Sequence, residues 1–329
     1  MTLNRRSLLA AAAVLPAVPL AAAGVARAQE AWPSRPVRFI VPFPPGGSTD
    51  VLSRVIAERL AGELGQPVVI ENRAGAAGNV GVDTVAKARP DGYTIGISTI
   101  GPLATHASLY RTLPFNPATD FTLLADLYEI TNVFVVNPST NIRTVADFVA
   151  AAKARPGQMT FGTPGNGTTG HLSTEYFSRR VGIELTHVPY RTGATAVQDL
   201  IAGRIDMMFD NLPTIIGQIQ GGQIRPIGVS TAQRWPGLPD VPTMIEQGIA
   251  NFDVTSWSGL IGPKDLPAPI TEKITAAMLK VGADPAFQQR FIQMGARATV
   301  GSPDQLQRRI AAEVPRWAEV IRASGARID

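Results

Sequence analysis

Short apolar runs alternate with amphipathic stretches along most of the chain. Residues 37–41, VRFIV, are too few for a helix and predict a buried strand. Residues 48–64 place Val51, Leu52, Val55, Ile56 and Leu60 on one face at helical spacing. Residues 67–70 predict the next strand and 80–88 the next helix. DGYTIGIS opens on an Asp-Gly turn and continues as a strand.

The pattern then recurs. Residues 133–136 predict a strand and 144–154 a helix, and MTFGTPGNGTTGHLSTEYFSRR reads as strand, glycine turn and helix. Strands follow at 185–189, 205–209 and 227–230. Between them lie a helix in TGATAVQDLIAG, stopped at Gly203, and another over 213–219. Two β-α-β-α units predict two α/β domains with mostly parallel sheets. The tail differs: FDVTSWSGLIGP is strand-like, and helices are expected near 269–281, 285–294 and 303–323. A helical tail needs a sheet face to cover, and the first unit has fewer helices of its own. The chain is therefore expected to cross between units near 130 and again near 250. Domain 1 is then 29–130 plus 250–329 and domain 2 is 131–249, joined by a two-crossing hinge with a cleft between them.

Composition narrows the function. The formal charge is +4, but Arg5, Arg6 and Arg27 lie in a segment with export-signal features. Leu8 to Ala26 is uncharged, and Ala26-Arg27-Ala28 is a small-x-small cleavage site, so residues 1–28 are expected to be removed. NRRSLL suits either the twin-arginine or the general secretory route into the periplasm. Without those three arginines the charge falls to +1, too little for a nucleic-acid surface. With no cysteine, neither disulfides nor thiolate chemistry is available.

The glycine turns carry the candidate chemistry. VPFPPGGSTD joins a strand to a helix without the lysine of a phosphate loop. A helix N-terminus exposes unpaired N–H groups, and glycine lets a ligand approach them. Ser48 or Thr49 could cap this helix, Asp50 would complement its dipole, and Phe43 is expected to face the cleft. Gly165-Asn166-Gly167-Thr168-Thr169-Gly170 matches G-x-G-x-x-G, which leaves an exported cofactor-dependent oxidoreductase as an alternative. The acid expected about 20 residues on has only Glu184 as candidate, ahead of its strand. His171 and Glu175 are four apart on a helix, too few ligands for the metal site of an exported hydrolase, and His106 and His187 lie far off in sequence. Asp210 follows a strand and could face the cleft, Arg191 could meet a carboxylate bidentately, and Met207-Met208-Phe209 reads as core.

Magnitudes favour a clamp. One helix end is worth about 0.3–1 kcal/mol to an anion, whereas micromolar binding needs about 8 kcal/mol. Charge-assisted hydrogen bonds contribute about 1.5–3 kcal/mol each, so four or five from two opposed turns suffice. Such a cleft suits an elongated acid.

VPFPPGGSTDVLSRVIAERL, VVIENRAGAAGNVGVDTVAKARPDGYT, FGTPGNGTTGHLSTEYF, VPYRTGATAVQDLIAGRIDMMFDN and IRPIGVSTAQRWPGLPDVPTMIEQG together resemble the Bug-type receptors, the extracytoplasmic solute-binding proteins of tripartite tricarboxylate transporters. The resemblance spans essentially all of the chain after residue 28. It implies a type 2 periplasmic-binding-protein fold whose α/β domains close on a small carboxylate, without catalysis or cofactor. It implies a monomeric receptor serving membrane permease subunits or a sensor kinase. It places one ligand carboxylate on Pro42, Phe43 and Gly47, with ordered water. It sets Thr163, Asn166, Thr168, Thr169 and Asp210 on the opposing domain. Ser48, Asn79 and Thr99 complete the expected ligand set.

Overall fold

Strands that read as unbroken apolar runs are strands covered on both faces. The computed structural model, which describes residues 32–324, shows this at β1 (Val37–Val41), where Val37, Phe39 and Val41 enter one apolar core and Ile40 the other. The expected signal segment lies outside the described residues. Around β1 the chain runs as predicted: α1 (Ser48–Leu64), β2 (Val68–Asn72), α2 (Asn79–Ala86) and β3 (Thr94–Thr99), with β1 parallel to both β2 and β3. After β3, a π-helical turn at Gly101–Thr105 leads into α3 (His106–Leu109).

β4 (Phe121–Val136) is 16 residues long, against the four expected at 133–136. Its first part pairs with β9 (Thr255–Pro263) and β10 (Arg297–Gly301). From Asn132 onward it pairs with β7 (Met207–Asn211) and β8 (Arg225–Val229). One strand thus runs from one half of the molecule into the other. The second half adds α4 (Val145–Ala154), β5 (Thr160–Thr163), α5 (Thr169–Val181), β6 (Thr186–Pro189), α6 (Gly193–Ile201) and α7 (Leu212–Gln220), with β5 parallel to β6 and β7. The order is β2-β1-β3-β9-β4-β7-β5-β6. The outer strands are parallel as expected. The centre is antiparallel because the returning chain slots β9 between β3 and β4.

Ser230 ties the two passages together. Its Oγ accepts from the Asn132 N–H at 3.0 Å and donates to the Val254 carbonyl at 2.6 Å. Phe134, on β4, sits among Phe148, Phe177 and Phe209 with ring centroids 4.9–5.3 Å apart. The tail forms α8 (Ala268–Ala283), α9 (Pro285–Gln293) and α10 (Pro303–Ser324). It buries Met278, Phe287, Phe291 and Trp317, and α10 packs on both β4 and α5.

Candidate functional site

The turn VPFPPGGSTD is held from behind. Asp50, in the first turn of α1, accepts the Gly46 N–H at 2.9 Å and a two-point contact from Arg54, both at 3.0 Å. Asn72 donates to Asp50 at 2.8 Å and to the Phe43 carbonyl at 3.0 Å. Burial pushes the Asp50 carboxyl up, but Arg54, Asn72 and the Gly46 N–H together hold it below the usual range. Neither Ser48 nor Thr49 is the N-cap of α1. Gly47 is, and having no side chain it makes no side-chain cap, so the first N–H groups point outward. Gly46 has φ +83°, a conformation only glycine adopts without strain.

The second half repeats the device. The N-cap of α5 is Thr168 and that of α7 is Asn211, neither with a side-chain cap. The α6 end is closed by its own Thr192, whose Oγ1 accepts the Thr195 N–H at 3.2 Å. These ends meet around one cleft of about 170 Å³. Its lining brings together Phe43, Gly47, Ser48, Thr99, Thr168, Thr169 and Asp210 of the expected set. Arg191 lies there too. Sequence reasoning missed Ala77, Asn211, Thr214 and Ser256. For Asn211 and Thr214 a signal was available, since the helix after β7 starts with the same strand-to-helix geometry.

The other expected residues lie elsewhere. Pro42 is buried at the end of β1, where a Cβ on Gly81 of α2 would come 2.6 Å from its Cα. Asn79 is turned inward, its Oδ1 2.6 Å from Nδ1 of His106. Thr163 is fully buried, with Oγ1 2.7 Å from Nε2 of His187. Asn166 is exposed outside the lining.

The three histidines, remote in sequence, converge on the GNGTTG turn. The Gly167 N–H donates to Nδ1 of His171 at 3.2 Å, and His171 stacks on His187 with centroids 4.5 Å apart. Nε2 of His106 lies 3.4 Å from the Gly167 carbonyl, reaching across from the first half. Burial pushes all three imidazoles down to about 4, leaving them neutral. The Gly167 donor that a pyrophosphate would need is therefore already committed. Gly170 allows α5 to press on β7, since a Cβ there would collide with the Phe209 carbonyl. Among the described residues no group of three or more His, Cys, Asp or Glu side chains could hold a metal ion.

Hydroxyl protons separate the ligand candidates. Ser48 Oγ accepts from Asn211 Nδ2 at 3.0 Å, so its own proton is free for the cleft. Thr168 gives its proton to the Gly165 carbonyl at 2.8 Å, whereas Thr169 makes no side-chain hydrogen bond with a described residue. Asp210 is 3% exposed. Its Oδ1 accepts the Asn211 N–H at 2.8 Å, and its Oδ2 has no partner. Burial pushes this carboxyl up to about 7.

Comparison with known proteins agrees with this architecture. A model of the family described as "Tripartite tricarboxylate transporter family receptor" matches residues 52–326. Protein BugT of Bordetella pertussis is 36% identical over 312 residues, covering 94% of this chain and 96% of BugT. Among solved structures, R. palustris Rpa4515 with adipate has a TM-score of 0.87 at 38% identity, over 90% of this chain and all of that one. MatC from Rhodopseudomonas palustris with bound malate has a TM-score of 0.83 at 29% identity, over 88% of this chain and 99% of that one. Nothing in these relatives supports the oxidoreductase alternative. With its α/β periplasmic-binding fold and its cleft ringed by helix N-termini, the chain belongs to the solute-binding receptors of the tripartite tricarboxylate transporter family, which are not enzymes.

Proposed function

We propose that this protein captures a small carboxylate in the cleft and delivers it to membrane permease subunits. The observation that carries the reading is that α1 from one half and α5 and α7 from the other direct uncapped N-termini into one cavity. One carboxylate sits at Gly47, Ser48 and Thr49, where the backbone N–H groups and the free Ser48 proton donate. The far end meets Thr169, the α5 N-terminus and Asp210. Adipate in Rpa4515 and malate in MatC are acids of the size this reading requires.

The two lobes are 29–130 plus 250–329 and 131–249, and the linked crossings at Asn132, Ser230 and Val254 are the hinge. Binding energy drives closure because both sets of donors reach the acid only when the lobes meet. The receptor works as a monomer in the periplasm, reached through cleavage of residues 1–28. Among the described residues no helix is long and apolar enough to cross a membrane.

A thermal-shift screen against small mono-, di- and tricarboxylates tests this. At a hundredfold excess over Kd a ligand adds about 2.7 kcal/mol, a rise of roughly 5 °C or more for a chain of this size. A screen with no responding acid would remove the carboxylate reading.

A further inference from the structure

The charged residues among the described lining of the cleft are Arg191 and Asp210. Three arginines elsewhere are engaged: Arg54 with Asp50, Arg309 with Asp126, and Arg225 with the carbonyls of Pro138, Thr140 and Ile142. Arg191 makes no hydrogen bond or ion pair with any described residue. Its backbone is nevertheless fixed on both sides. The Tyr190 N–H donates to the Thr163 carbonyl at 2.9 Å, and the Tyr190 hydroxyl to Asp199 at 2.8 Å. Thr192 caps α6 on the other side. A cation without a partner thus stands on a braced turn at the cleft.

The opposite wall explains what such a cation is for. The first acid group of a ligand is served by the α1 turn. A second acid group would approach the buried Asp210, which lies over the backbone of Gly193 and offers an unpartnered oxygen. The α6 N-terminus nearby is already closed by Thr192. The α5 and α7 ends bring only partial charges to this half of the cleft. A guanidinium supplies a full charge and a planar fork matched to a carboxylate.

We propose that Arg191 binds a second carboxylate at the far end of the ligand and so selects small dicarboxylates over monocarboxylates of the same length. This rests on the carboxylate-receptor reading above.

Titration calorimetry of the wild-type protein and the Arg191→Gln and Arg191→Lys variants would compare succinate, glutarate and adipate with butanoate, pentanoate and hexanoate. Circular dichroism would check that each variant is folded. The wild type should prefer at least one diacid over its mono-acid partner. Arg191→Gln should shrink that ratio by about 10- to 100-fold, the size of one charge-assisted pair, and Arg191→Lys should restore part of it. A ratio that survives in Arg191→Gln, or a wild type that binds mono-acids and diacids alike, would overturn the role of Arg191 and leave the receptor reading standing. Binding of none of the six acids would overturn both.

Discussion

Gly46 and Gly47 are neighbours with opposite requirements. Gly46 needs its positive φ for the turn to close, whereas Gly47 has an ordinary extended φ of −75°. A Cβ at Gly47 would find only the Pro44 carbonyl, 3.7 Å away. Gly47→Leu should therefore fold with little change in melting temperature yet lose ligand response, because its side chain fills the anion's place. Loss of stability with retained binding would contradict this. Asp210 gives a pH prediction. Burial lets its carboxyl keep its proton to about 7 in the fold, against 3.8 for an aspartate in water. The native state therefore holds the proton more tightly, and stability falls as pH rises between those values. Asp210→Asn removes that fall, so its urea midpoint relative to wild type should improve from pH 5 to pH 8. A constant difference would mean that Asp210 is ionised throughout. Sequence showed which residue types cluster in the turns but not which way they face. Asn79 and Thr163 resemble Ser48 and Thr169 as letters, yet His106 and His187, which engage them, come from distant parts of the chain.

Among the elements, helices and parallel strands were legible because their apolar spacing is local. The first part of β4 was not, since Asp126, Glu129, Thr131 and Asn132 interrupt it. Those side chains are matched by partners far along the chain: Arg309 meets Asp126 at 3.1 Å, Arg297 pairs with Glu129, and Asn132 donates to Asn211 at 2.7 Å. Burial still pushes Asp126 up to about 6, with Arg309 opposing. A polar relay then joins four elements: Ser173 of α5 donates to Asn132 of β4, Asn132 to Asn211 of β7, and Asn211 to Ser48 of α1. This relay and the His106–Gly167 approach bridge the two halves. Asn211→Ala should therefore loosen the ligand-free protein, raising its radius of gyration by small-angle scattering, while saturating ligand restores the compact value. Equal radii for variant and wild type without ligand would show that the relay does not hold the lobes together.

At the scale of the molecule, a strand threaded through both sheets leaves neither lobe with a complete interior of its own. Residues 121–131 stand between β9 and β10, and 132–136 between β7 and β8. The two apolar cores also ignore the lobe boundary, since Leu52 and Met208 share one and Ile40 and Phe209 the other. Denaturant should accordingly melt the whole body in one transition, with tryptophan fluorescence and far-ultraviolet dichroism coinciding. A receptor whose lobes swing apart to trade cargo would then be unable to unravel one at a time, and opening for release would carry no risk of local collapse.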